Sequence, residues 1–363
     1  MDQGTLRIAR QRLRNQHLVG KPLAGPEDVV RWLGAVQAQE YVPAKWGVAQ
    51  RTKRCSEAEV EAALNSGTIL RTHVLRPTWH FVLPEDIRWL LALSAPRVRA
   101  FMAPYDRKVE IDGKLVARSH DVIAATLAGG RHATRKELAA AVAAAGITAS
   151  GLRLAHLAMH AELSALICSG PRRGKQHTYA LLDERVPAIP RAPERDEALG
   201  LLALRYFQSH GPAQVQDFAW WAGLTVGDAR AGLAAVQERL ASETHGGKTF
   251  WFSADQPRRV PAGESVCLLP SYDELVVAYK DHAPSFDPRT TAGVDSIVEY
   301  LYRHIVVRNG HVIGGWDHAA DKGKAGVQLR LFTKLDAAGK QAMRAAIARY
   351  ERYLGTRVAV ALS

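Results

Sequence analysis

Two glutamines separated by one residue, Gln37 and Gln39 in the run GAVQAQE, are the side chains of this sequence whose possible chemistry is easiest to define. Glutamine is too weak a base to remove a proton alone, but its carbonyl oxygen can hold a water molecule. Its NH2 group can also donate to a sugar or phosphate oxygen. Such help suits a reaction whose leaving group is already activated. From spacing alone the pair could equally be surface or capping amides, and that alternative stays open.

The segment that carries the pair is predicted to be helical. An apolar stripe that ends at Val36 indicates a helix over residues 26–37. On a straight helix, residues two apart point about 200° away from one another, so the two amides would diverge. Pro43 disfavours helical geometry at Val42. We therefore expect the last turn to loosen near Gln39, which would let both amides face one cavity.

A second polar run is RTHVLRPTWHFV at residues 71–82, which predicts a hairpin with a tight turn at residues 76–78. Trp79 could stack on a base and Arg76 could bind a phosphate, with His80 beside them. The alternative is a core tryptophan next to a neutral, hydrogen-bonded His80. Both interpretations remain open at this point.

Two further segments could support a site. The run LLPSYDELVVAYKD at residues 268–281 carries four side chains that would form either a buried polar set facing nucleic acid or an interdomain ion-pair cluster: Tyr272, Asp273, Glu274 and Lys280. A polar loop further on carries Lys322 and Lys324. As a hairpin tip it could enter a minor groove, whose negative potential attracts cations. An exposed loop without a role is the alternative.

The elements around these residues repeat. The order helix, helix, turn, helix and hairpin occurs at residues 119–183 and again at 196–253, and a weaker copy occupies the first hundred residues. This order is typical of winged helices, which place a helix in a DNA groove and hairpin residues against phosphates. In the 119–183 copy the hairpin tip carries Arg172, Arg173 and Lys175. Winged helices also serve as protein-interaction modules, which is a second possibility.

After Pro257 the composition changes to short β-rich runs. Strands are predicted at residues 266–269, 275–278, 306–308, 312–314 and 328–332. Asn309-Gly310 between two of them indicates a two-residue hairpin turn. The predicted fold class is therefore α+β, with three tandem winged-helix (helix-turn-helix) units followed by a small β-barrel-like domain. The predicted domains are 1–100, 101–190, 191–256 and 257–363.

Composition limits the class of protein. The 363 residues include 48 Lys and Arg against 36 Asp and Glu, and a net charge of +12 favours a polyanionic partner, nucleic acid ahead of an anionic membrane. A basic soluble enzyme without such a partner is the alternative. The three cysteines are far apart and lack C-x-x-C spacing, which predicts neither disulfides nor a zinc site. We expect a cytoplasmic monomer with no metal, no nucleotide cofactor and no membrane partner.

Taken together, AVQAQ, RPTWHFV, LLPSYDELVVAYKD, VIGGWDH and the terminal helix resemble the AlkZ-like bacterial DNA glycosylases across nearly the whole chain. The resemblance implies three winged helices and a small β-barrel domain. It also implies that Gln37 and Gln39 form the catalytic motif of a monofunctional glycosylase, positioning water and stabilising the cationic sugar. The implied partner is duplex DNA with N7-alkylguanine adducts or crosslinks, with azinomycin B crosslinks and self-resistance as the specific case.

A rival function accounts for part of the same pattern. A non-enzymatic winged-helix transcriptional regulator, or a toxin-sensing DNA-binding protein, would explain the charge and the repeats equally well. It would give Gln37 and Gln39 no role. A scaffold that recognises crosslinks for other repair proteins is a third possibility, and it predicts lesion binding without turnover.

Overall fold

A computed structural model of the protein describes residues 2–187, 191–257, 263–289, 291, 303–321 and 324–362. The chain divides into two units. The first comprises Met1–Glu61, Leu199–Trp221 and Thr225–Ser363, and the second comprises Ala62–Ala198 and Ala222–Leu224. In the part of the chain that is described, no helix is long and apolar enough to cross a membrane.

The N-terminal segment is mainly helical. Its elements are α1 (Gln3–Asn15), α2 (Pro26–Leu33), β1 (Val36–Gln37), α3 (Tyr41–Ala49) and α4 (Glu57–Ser66). Asp2 begins α1, because its carboxylate accepts from the backbone N–H groups of Gly4 and Thr5. Proline and two acidic residues in the first turn favour the start of α2.

The prediction that one helix extends to Gln37 is wrong. Gly34 has φ +82° and ends α2 at Leu33, as glycine at a helix end commonly does. The chain then becomes extended in β1, which includes Gln37. Pro43 does not loosen a helix end either. It lies in the first turn of α3, where its missing N–H has no partner to lose.

The second unit begins with a hairpin and a long helix. Further helices and a second hairpin follow in the order predicted for residues 119–183. Its elements are β2 (Leu70–His73), β3 (Trp79–Val82), α5 (Pro84–Lys108), α6 (Gly113–Leu127), β4 (Ala133–Thr134), α7 (Arg135–Ala144), α8 (Gly151–Leu163), β5 (Ile167–Arg173), β6 (Gln176–Leu181) and α9 (Leu182–Arg185). A capping box between Thr134 and Glu137 starts α7. Strands β2 and β3 pair antiparallel, as do β5 and β6. A core of aliphatic side chains from α6, α7, α8 and β5 holds this unit together.

The next group of elements repeats the order. It contains α10 (Arg195–His210), α11 (Val215–Ala222), α12 (Val226–Ala235) and the hairpin strands β7 (Leu240–His245) and β8 (Lys248–Ser253). Within the first unit, α10 and α11 contribute a buried aromatic cluster that contains Tyr206, Phe207, Phe218 and Trp221. Because these rings are buried, polar groups that lie among them are shielded from water.

The C-terminal segment is a five-stranded sheet with the order β13-β12-β11-β10-β9. The strands are β9 (Val266–Leu269), β10 (Ile305–Arg308), β11 (His311–Asp321), β12 (Lys324–Leu331) and β13 (Ala359–Leu362). Neighbours are antiparallel except for β12 and β13. Because β9 and β13 lie at opposite edges, the described strands form an open sheet, and the barrel-like closure that the sequence predicted is not formed by them. The mixed α and β character agrees with the prediction.

Of three local predictions for the C-terminal segment, two are correct and one is wrong. Asn309 and Gly310 form the two-residue turn between β10 and β11, both with positive φ, as predicted. The strand predicted at 275–278 is wrong. That segment is a short helix, α13 (Glu274–Val277), because the Asp273 side chain accepts from Leu275 N–H and caps it. A long helix, α14 (Ala337–Leu354), follows Asp336 and ends at Gly355, again as predicted.

Candidate functional site

Gln37 and Gln39 differ in exposure. Gln37 is 6% exposed and Ala38 is 1% exposed, whereas Gln39 is exposed. Because β1 ends at Gln37 and Gln39 lies in a bend, the 200° separation that a helix would impose does not apply to the pair. The backbone N–H of Gln37 donates to Oε1 of Glu274 at 2.7 Å. A buried carboxylate therefore holds the chain at the first glutamine.

Glu274 is the centre of a buried polar network in the first unit. Its side chain has no exposed surface. Its Oε2 accepts from the indole Nε1 of Trp221 at 2.9 Å and lies 3.3 Å from Nε2 of His210. Burial lowers the pKa of His210. Since a buried carboxylate is costly unless donors surround it, this network stabilises Glu274 where it meets Gln37.

Asp273 forms a separate buried ion pair. Both guanidinium NH2 groups of Arg51 donate to the Asp273 carboxylate at 2.8 Å, and both side chains are 1% exposed. Arg51 also donates to the Gly47 carbonyl and to Gln16. The guanidinium thus joins α1, α3 and the segment that precedes α13. This is the bidentate geometry that makes arginine and carboxylate pairs specific.

The remaining two residues of the predicted polar set behave differently. Tyr272 has φ +59°, a backbone conformation that non-glycine residues adopt rarely and that surrounding contacts must maintain. Lys280 is exposed, and its backbone N–H donates to Asp217. Of the four predicted residues, Asp273 and Glu274 are therefore the two that are buried and hold polar partners through their side chains.

A second contact to the glutamine segment, from Ser271, was not predicted from the sequence. The hydroxyl of Ser271 donates to Oε2 of Glu40, the residue after Gln39, at 2.7 Å. The backbone N–H of Ser271 donates to Nδ1 of His304 at 2.7 Å, which makes Nδ1 an acceptor. The His304 ring stacks on Trp316 with centroids 4.8 Å apart, and burial lowers its pKa. The only sequence signal for the contact between Ser271 and Glu40 is that Glu40 directly follows Gln39. The bond from Ser271 to His304 has no such signal, because His304 is remote in sequence.

The polar side chains of residues 71–82 lie in the second unit, where Glu162 is hydrogen-bonded to two of them. Nε1 of Trp79 donates to Oε1 of Glu162 at 3.3 Å, and Nδ1 of His73 is hydrogen-bonded to Oε2. The Trp79 ring lies 4.2 Å from the His73 ring, and the Arg71 guanidinium lies 4.4 Å from it. Trp79 is half-buried and not part of the core, so the DNA contact predicted for its ring stays a prediction.

His80 corrects one prediction. It is wholly buried, and its Nδ1 is hydrogen-bonded to the Thr78 carbonyl. A side chain without exposed surface cannot touch DNA in this conformation, so His80 is a core residue. Arg76, in the same loop, is partly exposed.

The hairpin tip between β5 and β6 carries exposed cations that are partly engaged. Arg173 pairs with Glu137 at 2.6 Å and is 56% exposed, and Arg172 donates to the Lys175 carbonyl. Lys322 lies outside the described residues, and Lys324 is the first residue of β12. The DNA contacts predicted for these residues stay predictions.

The histidine pair on α8 has an ordinary structural explanation. His156 and His160 are hydrogen-bonded to the two carboxylate oxygens of Asp106 at 2.8 and 2.9 Å. Across the described ranges, no group of three or more His, Cys, Asp or Glu side chains is arranged to hold a metal ion.

Comparison with known proteins gives a consistent set of relatives. A family model described as "DNA glycosylase AlkZ-like" matches residues 30–353. A protein of Streptomyces sahachiroi named "Interstrand DNA cross-link repair glycosylase" is 24% identical over 320 residues, which are 84% of this chain and 85% of that protein. The solved structure of Streptomyces sahachiroi DNA glycosylase AlkZ superposes with a TM-score of 0.81 at 21% identity and covers 99% of each chain.

Proposed function

The chain belongs to the AlkZ-like DNA glycosylase family, and we propose that it is a monofunctional glycosylase that releases bulky N7-alkylated purines from duplex DNA. The proposed lesions include interstrand crosslinks of the azinomycin B type, whose removal would give self-resistance. The name of the Streptomyces sahachiroi relative, which specifies cross-link repair, supports this choice of substrate. The net charge of +12 supports a polyanionic partner.

Gln37 and Gln39 are the proposed catalytic residues. An N7-alkylated guanine carries a positive charge, so its bond to C1′ of the sugar breaks readily and the base leaves neutral. The oxocarbenium-like sugar that remains is attacked by water, which loses its proton to solvent and leaves an abasic site. Amide oxygens can hold this water and stabilise the cationic sugar without acting as strong bases. No lysine is required as a nucleophile.

The observation that carries this proposal is the hydrogen bond between Gln37 N–H and the buried Glu274 carboxylate. Amides that only cover a surface need no such fixation. Catalytic groups do, because a misplacement of about 1 Å can cost 100-fold in rate. The glutamine segment is held from within by a carboxylate that has no exposed surface.

We further propose that the chain contains three winged-helix units, at residues 1–100, 101–190 and 191–256, followed by an α+β domain at residues 257–363. Duplex DNA would be contacted by Arg76, Trp79, Arg172, Arg173, Lys175, Lys322 and Lys324. A purine tethered to the opposite strand cannot swing fully out of the duplex. The site that acts on it should therefore be open. The protein is proposed to act as a cytoplasmic monomer without metal or nucleotide cofactor.

The test uses a duplex with one defined N7-guanine crosslink and enzyme in excess. Gln37→Ala and Gln39→Ala are expected to slow base release by about 100-fold each, the size seen when one polar group that stabilises a transition state is removed. DNA affinity should remain close to that of the wild type. Gln341→Ala, at an exposed position on α14, is the matched control.

Heat or alkali treatment after incubation reports the abasic sites as strand breaks. Base release at the wild-type rate by both variants would end the catalytic assignment. A sequence-selective footprint without strand breaks would favour the regulator instead.

A further inference from the structure

The segment Ser271–Glu274 contacts the glutamine segment on both sides. Glu274 accepts from the backbone N–H of Gln37 at 2.7 Å, and Ser271 donates to the Glu40 carboxylate at 2.7 Å. Ala38 and Gln39 lie between these two contacts. The glutamine segment is therefore held at both ends by a stretch more than 200 residues away in sequence.

The holding segment is itself fixed. Asp273 receives two hydrogen bonds from the buried Arg51 guanidinium. Tyr272 is kept at φ +59°, a strained conformation that persists only where neighbouring contacts determine the backbone. Rigid elements hold functional groups more accurately than free loops do. Glu274 is thus a rigid support for Gln37.

The second oxygen of the Glu274 carboxylate has partners of its own. The indole N–H of Trp221 donates to Oε2 at 2.9 Å, and Nε2 of His210 lies 3.3 Å from the same oxygen. On the other side of the ring, Nδ1 of His210 lies 2.8 Å from the Ser209 hydroxyl, which donates to the Arg205 carbonyl.

We propose that Glu274 is a positioning residue of the glycosylase reaction, holding the Gln37 backbone through Oε1 while Trp221 and His210 hold Oε2. This inference rests on the proposed role of Gln37. It assigns a function to a carboxylate that is buried away from solvent and acts through another residue. Removing the Glu274 carboxylate should lower the rate of base release and leave the Kd for DNA unchanged.

Two substitutions separate positioning from folding. Glu274→Met keeps the length of the side chain but removes the acceptor for Gln37, and single-turnover base release is expected to fall about 100-fold with little change in the Kd for DNA. Glu274→Gln keeps an oxygen for Gln37 N–H, but its NH2 cannot accept from the Trp221 indole N–H, so this variant should lose Tm while it retains the contact to Gln37. Less than about a tenfold loss of rate is expected for this variant.

The matched control is Asp217→Asn. Asp217 is a buried carboxylate of the same unit that accepts backbone N–H bonds from Gln214, Lys280 and Asp281. This variant should lower Tm without a selective loss of rate in the folded protein. If Glu274→Met and Glu274→Gln lost rate equally, in proportion to their loss of Tm, Glu274 would have only a structural role.

A spectroscopic readout keeps the inference separate from the proposed function. The amide proton of Gln37 should resonate downfield in the wild type, because it donates to a carboxyl group, and should move upfield in Glu274→Met. An unchanged Gln37 amide resonance would overturn the inference whatever the activity. If Gln37→Ala released base normally while the resonance moved as expected, the catalytic assignment of Gln37 would fail and the contact would remain.

Discussion

At the scale of single residues, the Glu274 carboxylate contacts the Gln37 backbone through one oxygen and Trp221 and His210 through the other. Gln37, Gln39, Asp273 and Glu274 stand out by type and by neighbourhood. The contacts that give Glu274 its role come from Trp221 and His210, which lie more than 50 residues earlier in the chain. Spacing patterns report only on neighbours along a helix or strand, so tertiary partners of this kind cannot be predicted from one sequence.

The buried pair of Arg51 and Asp273 leads to a prediction for stability. Replacing Arg51 by Met leaves the Asp273 carboxylate buried without its main partner, and breaking such a pair costs about 3 to 5 kcal/mol. Urea unfolding of Arg51→Met should show this loss in the free energy of unfolding.

The exposed pair of Arg173 and Glu137 provides the comparison for that measurement. Because solvent surrounds both side chains, Arg173→Met should cost less than about 1 kcal/mol. Similar losses for Arg51→Met and Arg173→Met would contradict the energetic importance of the buried pair.

At the scale of elements, turn and capping signals predicted more than periodicity did. Asn309-Gly310 was correctly placed in a two-residue turn, and Asp336 and Gly355 correctly mark the ends of α14. The helix predicted through Gln37 failed because Gly34 ends it, although the apolar stripe continues to Val36. A buried strand and the last turn of a buried helix present the same apolar run, so periodicity cannot distinguish them.

Gly310 allows that turn to be tested. It has φ +95°, and a Cβ added there would lie 2.7 Å from Cβ of Ala9 and 2.8 Å from its carbonyl carbon. Gly310→Ala therefore combines backbone strain with a collision against α1. The strain alone costs about 1 to 2 kcal/mol, and the collision should add to it.

Gly247→Ala, in the turn between β7 and β8, is the matched variant. Gly247 also has positive φ, at +72°, but a Cβ there meets nothing within 4 Å. Thermal unfolding should therefore show a larger drop in Tm for Gly310→Ala. Equal drops would mean that contact between the turn and α1 contributes nothing to stability.

At the scale of the whole molecule, the combination of motifs was more informative than any one motif. Gln-x-Gln alone is a short pattern, and a net charge of +12 alone indicates only a polyanionic partner. Together with three other runs they indicated the family that the match over residues 30–353 confirms. The open order of the C-terminal sheet was not predictable, because β13 pairs with β12 through a register that no local signal encodes.

Half of the fourteen histidines have a pKa that burial lowers, and they are spread over both units. They are His17, His120, His132, His210, His282, His304 and His311. In the unfolded chain each should titrate near 6.5. Below that pH the unfolded chain takes up protons that the folded protein resists, so stability is fully present above about pH 6.5 and falls as the pH is lowered.

The free energy of unfolding, measured in urea at pH 7.5, 6.5 and 5.5, should decrease at each step, with the larger decrease at the lower pH. The same measurement between pH 7.5 and 8.5 should be nearly flat, because these histidines are neutral there in both states. Carboxylates with lowered pKa, such as that of Asp336, titrate below this window and do not contribute to it. Stability that stayed constant or rose toward pH 5.5 would contradict the lowered pKa of these seven histidines.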